Sequence, residues 1–161
     1  MNSLFVDDVI DRLSDETVNI DSGNQTEMRE FIRDYSKDFP MVCYEHTDDS
    51  GFEVSFEDST FLTDRPHEGL WIWGYDDYDL KYVVCLKERN RSLEIDAFEV
   101  NENMRGEGIG SNIISIIESI GEHYYDDIMV SPFDTNAINF WEHMDYGEGK
   151  NGYWVKTLWE I

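Results

Sequence analysis

Basic residues are scarce in this chain. Its 161 residues carry 12 Lys and Arg against 36 Asp and Glu, a formal net charge of −24 at pH 7. Such a surface repels nucleic-acid phosphate and anionic lipid and attracts cations, so neither nucleic acid nor membrane is an expected partner. Long apolar runs are also missing, and none approaches the ~20 residues that cross a bilayer. The opening MNSLFVDDVIDRL is acidic and has no basic n-region, so it does not read as a secretory signal. Cysteine is limited to Cys43 and Cys85, with no CxxC pair. That excludes a disulfide scaffold and fits reduced, buried thiols in a cytoplasmic protein. His46, His67 and His123 do not fall at metal-ligand spacing with Cys or carboxylates, so no metal site is expected. No Pro- or Ser-rich linker divides the chain, and a single domain over residues 1–161 is expected.

What is present is a core. Hydrophobic residues make up 40% and aromatics 14%, too much for a disordered polyanion. The carboxylates spread along the whole chain, which favours a global surface property. Adaptation to high salt ranks first, a cationic substrate second and mimicry of nucleic acid last.

Periodicity gives the order of elements. SLFVDDVIDRL (3–13) has a helical apolar stripe with Ser3 as N-cap, and DETVNIDSGNQ (15–25) reads as a polar break. TEMREFIRDYSKDF (26–39) is a second helix ended by Pro40, without a capping box between Thr26 and Arg29. MVCYEHT and FEVSFED read as short strands around the turn DDSG, followed by a loop, EDSTFLTDRPHEG. LWIWGY, LKYVVCLKE and SLEIDAFEV follow as an antiparallel meander with short turns. Trp71, Trp73 and Tyr75 share one face of their strand and read as core. The isoleucine stripe from Ile109 to Ile120 makes a helix closed by Gly121. DDIMVSPF is then a strand, TNAINFWEHM a helix and NGYWVKTLWEI a closing strand. The class is α+β, a mixed α/β arrangement.

One stretch stands apart in so acidic a chain: Arg105-Gly106-Glu107-Gly108-Ile109-Gly110-Ser111, between a strand and the isoleucine helix. Its glycines let backbone N–H groups converge on a small volume, and the helix adds unpaired donors and the positive end of its dipole. Arg105 adds a forked cation suited to phosphate oxygens, and Ser111 can cap or donate a hydroxyl. No Lys follows the glycines, so this is not a Walker loop. The spacing and the preceding meander also exclude a Rossmann fingerprint.

The pattern R-x-x-G-x-G resembles the acyl-CoA-binding motif of the GNAT superfamily of N-acetyltransferases. Downstream, Ala137-Ile-Asn-Phe140-Trp141-Glu-His-Met-Asp145-Tyr146 resembles that family's A-x-x-F-Y-x-x-x-G-F segment. The resemblance covers about residues 70–161. It departs at Trp141, where the family usually has Tyr, and at Asp145, where it has Gly. Asp134 stands where the family often has Asn three residues before the Ala, with Asn136 one residue before it. It implies a central, mostly antiparallel twisted sheet flanked by helices, with a splayed strand pair holding acyl-CoA. Residues 69–161 would form the acyl-CoA-binding part and 1–68 a variable N-terminal part.

The implied activity is acetyl transfer from acetyl-CoA to a primary amine by direct attack in a ternary complex. The pyrophosphate would sit on the backbone from Arg105 to Ser111, near Asn136. The pantetheine would pair with strand backbone near Phe98 and Val100. Simple alternation puts Glu94 and Asp96 on the face of Phe98 and Val100, with Glu99 on the other. Glu94 is the first candidate base, by its distance from the motif in similar enzymes, and Glu99 the second. Tyr146 is the candidate acid, with His143 and Tyr153 nearby. The amine stays open among lysine side chain, protein N-terminus, polyamine, amino acid and aminoglycoside, with a cationic one (a polyamine, a basic peptide or a protein lysine) suited to the acidic chain. The protein is expected to be a monomer or homodimer. Two alternatives are a catalytically inactive GNAT fold that binds acyl-CoA or protein, kept open by Trp141, and an acidic decoy mimicking nucleic acid.

Overall fold

The computed structural model describes residues 1–43, 69–132 and 134–159. Four helices and seven strands occur among them: α1 (Ser3–Leu13), β1 (Asn19–Gly23), α2 (Gln25–Ile32), β2 (Leu70–Tyr75), β3 (Leu80–Arg89), β4 (Ser92–Val100), α3 (Ile109–Gly121), β5 (Asp127–Val130), α4 (Thr135–His143), β6 (Gly147–Glu148) and β7 (Trp154–Thr157). The strands form one sheet in the order β1-β2-β3-β4-β5-β7-β6. Every pairing is antiparallel except β4 with β5. The expected mixed, mostly antiparallel sheet flanked by helices is the observed architecture. The segment FEVSFED, the turn DDSG, His46 and His67 lie outside the described residues. Of the expected strand MVCYEHT only residues 41–43 are described, and they form a turn.

The core lies on both faces of the sheet. Phe5, Val9 and Leu13 of α1 join Ile113, Ile114 and Ile117 of α3 against one face. Met28 and Ile32 of α2 cover Trp71, Trp73 and Cys85 on the other. Each helix presents its apolar residues at the three- and four-residue spacing that makes one stripe. Trp71 and Trp73 are buried, and the Phe31 ring lies 5.7 Å from Trp73 and 4.7 Å from Tyr75. Core is thus the role of Trp71 and Trp73, with Tyr75 half-buried at the margin.

Several boundaries differ from expectation. The polar break contains β1, an edge strand pairing with β2 from Asn19↔Tyr75 to Gly23↔Trp71. Its side chains are half-buried or exposed, so it shows no apolar alternation to read. The cap of α1 is Asn2, not Ser3: its Oδ1 accepts from the N–H groups of Leu4 and Phe5 at 2.9 and 3.3 Å. Helix α2 does have a capping box, made by Asn24 and Glu27 rather than Thr26 and Arg29. After Ile32 the chain tightens into a 3₁₀ turn over Arg33–Asp38. The closing strand is only Trp154–Thr157, paired on one side with β5 and on the other with the two-residue β6.

A β-bulge in β4 changes its faces. Cys85 faces Ala97 across the β3–β4 ladder and Leu86 faces Ile95, leaving Asp96 as an extra residue. The alternation therefore shifts phase at Asp96. Leu93, Ile95, Phe98 and Val100 all pack on the α3 side, while Ala97 packs on the α2 side. Glu94 and Glu99 consequently share the α2 face, where simple alternation separates them.

Candidate functional site

Strands β4 and β5 pair in parallel only from Ser92↔Asp127 to Ile95↔Val130. Beyond the bulge β4 runs on to Val100 with β3 alone beside it, so the two strands part as a fork. Beside the free part of β4, and walled by the glycine loop, the start of α3 and α4, lies a cavity of about 460 Å³. Phe98, Val100, Arg105, Gly106, Gly108, Ile109, Gly110, Ser111 and Asn136 all line it. The structure thus brings together every residue that the motif reading put at an acyl-CoA site. Met41, Glu99, Met104, Asp134, Ala137, Phe140 and Trp141 complete the lining. No local pattern in the sequence marks Met41; it arrives through tertiary packing.

The loop is shaped for a ligand that meets backbone. Gly106 and Gly108 have φ of 87° and 81°, a left-handed conformation that costs an L-residue roughly 1–2 kcal/mol. An added Cβ at either would meet no atom within 4 Å, so conformation, not packing, demands these two glycines. Gly110 is different: a Cβ there would lie 3.3 Å from the Phe140 ring and 3.5 Å from Val100. Close approach of α3 to α4 and β4 sets that position. Helices α1, α2 and α4 each have a side-chain cap, from Asn2, Asn24 and Asp134. Helix α3 alone has none, because its cap position is Gly108. Its first-turn N–H groups lack intrahelical acceptors and lie at the cavity wall.

Two carboxylates of β4 are buried, Glu94 at 3% and Glu99 at 4% exposure. Glu99 lines the cavity. Its Oε1 accepts from the Val42 N–H at 2.7 Å, and its Oε2 accepts from the Met41 N–H at 3.0 Å. The Arg105 guanidinium donates to the same Oε2 at 3.0 Å. Burial outweighs these donors and pushes the Glu99 carboxyl up to about 7. Glu94 sits one pair inside the fork, opposite Met129 in the parallel ladder, and does not line the cavity. Arg89 pairs with its Oε1 at 2.8 Å, and the Tyr153 hydroxyl lies 3.5 Å from the same atom. Burial first, and then Asp96, raise its carboxyl above the usual range.

Tyr146 is buried against Trp141, ring centroids 4.9 Å apart. Its hydroxyl donates to Glu118 at 2.8 Å, and Lys156 holds the other Glu118 oxygen at 3.1 Å. Burial and the Glu118 charge push its phenol far above the ordinary value. Among the described residues no group of three or more His, Cys, Asp or Glu is arranged to hold a metal ion. No helix among them is long and apolar enough to cross a membrane.

A model of the acetyltransferase (GNAT) family matches residues 28–146. The chain belongs to the GNAT acetyltransferase family. Comparison with curated protein sequences gives no match. Among solved structures, a GNAT-family acetyltransferase from Staphylococcus aureus aligns with a TM-score of 0.57 at 13% identity, covering 88% of this chain and 99% of that one. The ribosomal-protein-S18-alanine N-acetyltransferase of Escherichia coli aligns with a TM-score of 0.55 at 11% identity, covering 89% and 95%. At these identities the likeness is one of fold. The GNAT match begins at Met28, in α2, well ahead of the motif-bearing part.

Proposed function

We propose that the protein is an N-acetyltransferase that moves an acetyl group from acetyl-CoA to a primary amine within a ternary complex. The observation that carries this reading is the uncapped α3 N-terminus with its left-handed glycine turn, opening into the same cavity as the unpaired end of β4. The first offers N–H donors to a diphosphate, and the second offers a strand edge to the amides of a pantetheine arm. Asn136 and Ser111 add polar side chains at the wall.

Acetyl-CoA supplies an activated thioester: the amine nitrogen bonds to its carbonyl carbon, the carbon–sulfur bond breaks, and CoA leaves as the thiolate. A β4 backbone N–H beside Phe98 polarises that carbonyl and steadies its developing negative charge. The amine must shed a proton, and Glu94 is assigned as its acceptor, through water. What supports Glu94 is its place one pair before the strands part, behind the cavity lining so that water would carry the proton, and a carboxyl that burial makes more basic than usual. Glu99, with N–H donors on both oxygens, is less free to take a proton. Tyr146, committed to Glu118, enters this scheme as the support behind Trp141. The acidity of the chain suits a cationic amine and a surface adapted to salt.

A second reading has its own observation. Trp141 lines the cavity at the position where the motif usually has Tyr, and an indole cannot protonate a thiolate. A GNAT fold that binds acyl-CoA without turnover would look the same there. The test is calorimetric titration of acetyl-CoA into wild type and Gly108→Val, in low and molar salt, followed by mass-spectrometric assay of an amine panel. Binding lost in the variant, with acetylated product, supports the enzyme. Binding without product from any amine supports the second reading, and no binding by folded wild type sinks both.

A further inference from the structure

Glu99 is the most heavily engaged buried carboxylate of the site, and base catalysis leaves its contacts unexplained. Its side chain is 2% exposed, yet it meets three donors from two separate parts of the chain. Two are the N–H groups of Met41 and Val42, in the turn after the 3₁₀ segment that follows α2. The third is Arg105, the first residue of the glycine loop. Arg105 is 48% exposed and offers Glu99 only Nη2, so its remaining N–H donors are left for the cavity that it lines. Met41 lines the same cavity, while Val42 is anchored in the core under α2.

We propose that Glu99 is a positioning residue that joins the acyl-donor loop to the Met41–Val42 wall, aiming the Arg105 fork at the diphosphate and stiffening that wall when the diphosphate is bound. This rests on the acetyl-CoA reading of the cavity. The physical reason is the geometry of the guanidinium. A fork held on one side by a fixed carboxylate loses little further freedom when its other donors take an anion. The same carboxylate carries the effect onward, because its second oxygen and the Met41 bond belong to the turn. Among the described residues Glu102 is the other charged group bearing on Glu99, and it opposes ionisation, as burial does. Arg105 and the two backbone donors are what keep the anion in place.

The test is a double-mutant cycle of Glu99→Gln and Arg105→Ala, read as the Kd for acetyl-CoA, with amide hydrogen exchange of the Met41–Val42 segment measured alongside. Glu99→Gln in the wild-type background should weaken acetyl-CoA about tenfold, the scale of a hydrogen bond to a charged group. In the Arg105→Ala background it should change Kd by less than about twofold. Acetyl-CoA should slow exchange at Met41 and Val42 in wild type and leave it unchanged in Arg105→Ala. Additive effects on Kd, or ligand-independent exchange in wild type, would overturn the proposal while leaving acyl-CoA binding intact. Failure of wild type to bind acetyl-CoA at all would instead remove the functional reading beneath it. Should Glu99→Gln not fold, the exchange comparison between wild type and Arg105→Ala still decides the matter.

Discussion

Between Ser92 and Ile95, β4 has a strand on either side; between Ala97 and Val100 it has β3 alone. Each half buries one glutamate on the same face. In the doubly paired half, Glu94 is closed in by Arg89 and Tyr153 one pair inside the fork. In the free half, Glu99 reaches into the cavity and holds two other chain segments. The contrast teaches that residue type and burial do not assign a role. What separates the two is what each carboxylate meets: Glu94 is paired with Arg89 inside the ladder, while Glu99 lines the cavity and accepts from two other chain segments.

Breaking the paired half should have the largest effect. Glu94→Gln is expected to lower kcat about a hundredfold or more, measured at neutral pH with the best amine of the panel, while the Kd for acetyl-CoA moves little. A kcat within a few fold of wild type would remove Glu94 from the mechanism. On the free side, Gly108→Val forces a β-branched residue to a φ of 81° and should weaken acetyl-CoA by about tenfold or more, with kcat less affected.

The Glu99 carboxyl sharpens the comparison through pH. Its folded value of about 7 lies above the ordinary 4.5, so between those values the folded chain keeps a proton that the unfolded chain has lost. Stability from this group therefore falls as pH rises through that window and is fully present only below it. Glutamine does not titrate. The stability of wild type relative to Glu99→Gln should drop by on the order of 1–3 kcal/mol between pH 5 and about pH 8, measured by chemical denaturation. A difference that is flat with pH would mean that Glu99 is far less desolvated than it looks. The smallest effect is expected at Tyr146→Phe, which loses the bond to Glu118 but keeps the ring on Trp141. It should cost about 1–2 kcal/mol of stability and leave kcat within about threefold; a much larger fall in kcat would make Tyr146 an acid.

Much of this molecule was legible before its structure. Strands LWIWGY and SLEIDAFEV and helix α3 fall where their patterns put them, because each is bounded by turn residues and is rich in apolar side chains. The glycine loop was legible for a different reason: alternating glycines alone fit any tight strand-to-helix turn, and it was the resemblance of R-x-x-G-x-G, together with the Ala137–Tyr146 segment, to the GNAT motifs that marked it as a site. The rest was hidden by specific physics. Strand β1 buries too little to show a pattern. The bulge at Asp96 leaves no mark in composition, since an inserted acidic residue looks like one more polar position. Without it, Glu94 and Glu99 fall on opposite faces and their likeness cannot be seen. Met41 and Val42 reach Glu99 from 58 and 57 residues away, a separation at which local pattern says nothing.

The lone guanidinium in the cavity also has a kinetic meaning. Arg105 is the one cation among the described residues that line it, in a chain of net charge −24. A polyanionic donor approaching this protein climbs a repulsive long-range field before it meets any favourable contact. Added salt shortens the reach of that field to about 10 Å at 0.1 M and about 3 Å at 1 M. The association rate for acetyl-CoA should therefore rise with ionic strength, the reverse of an enzyme that steers its anionic ligand inward. Dissociation, governed by backbone contacts inside the loop, should respond far less. Under the proposed function, the field would set how often the donor arrives, and the glycine loop how long it stays.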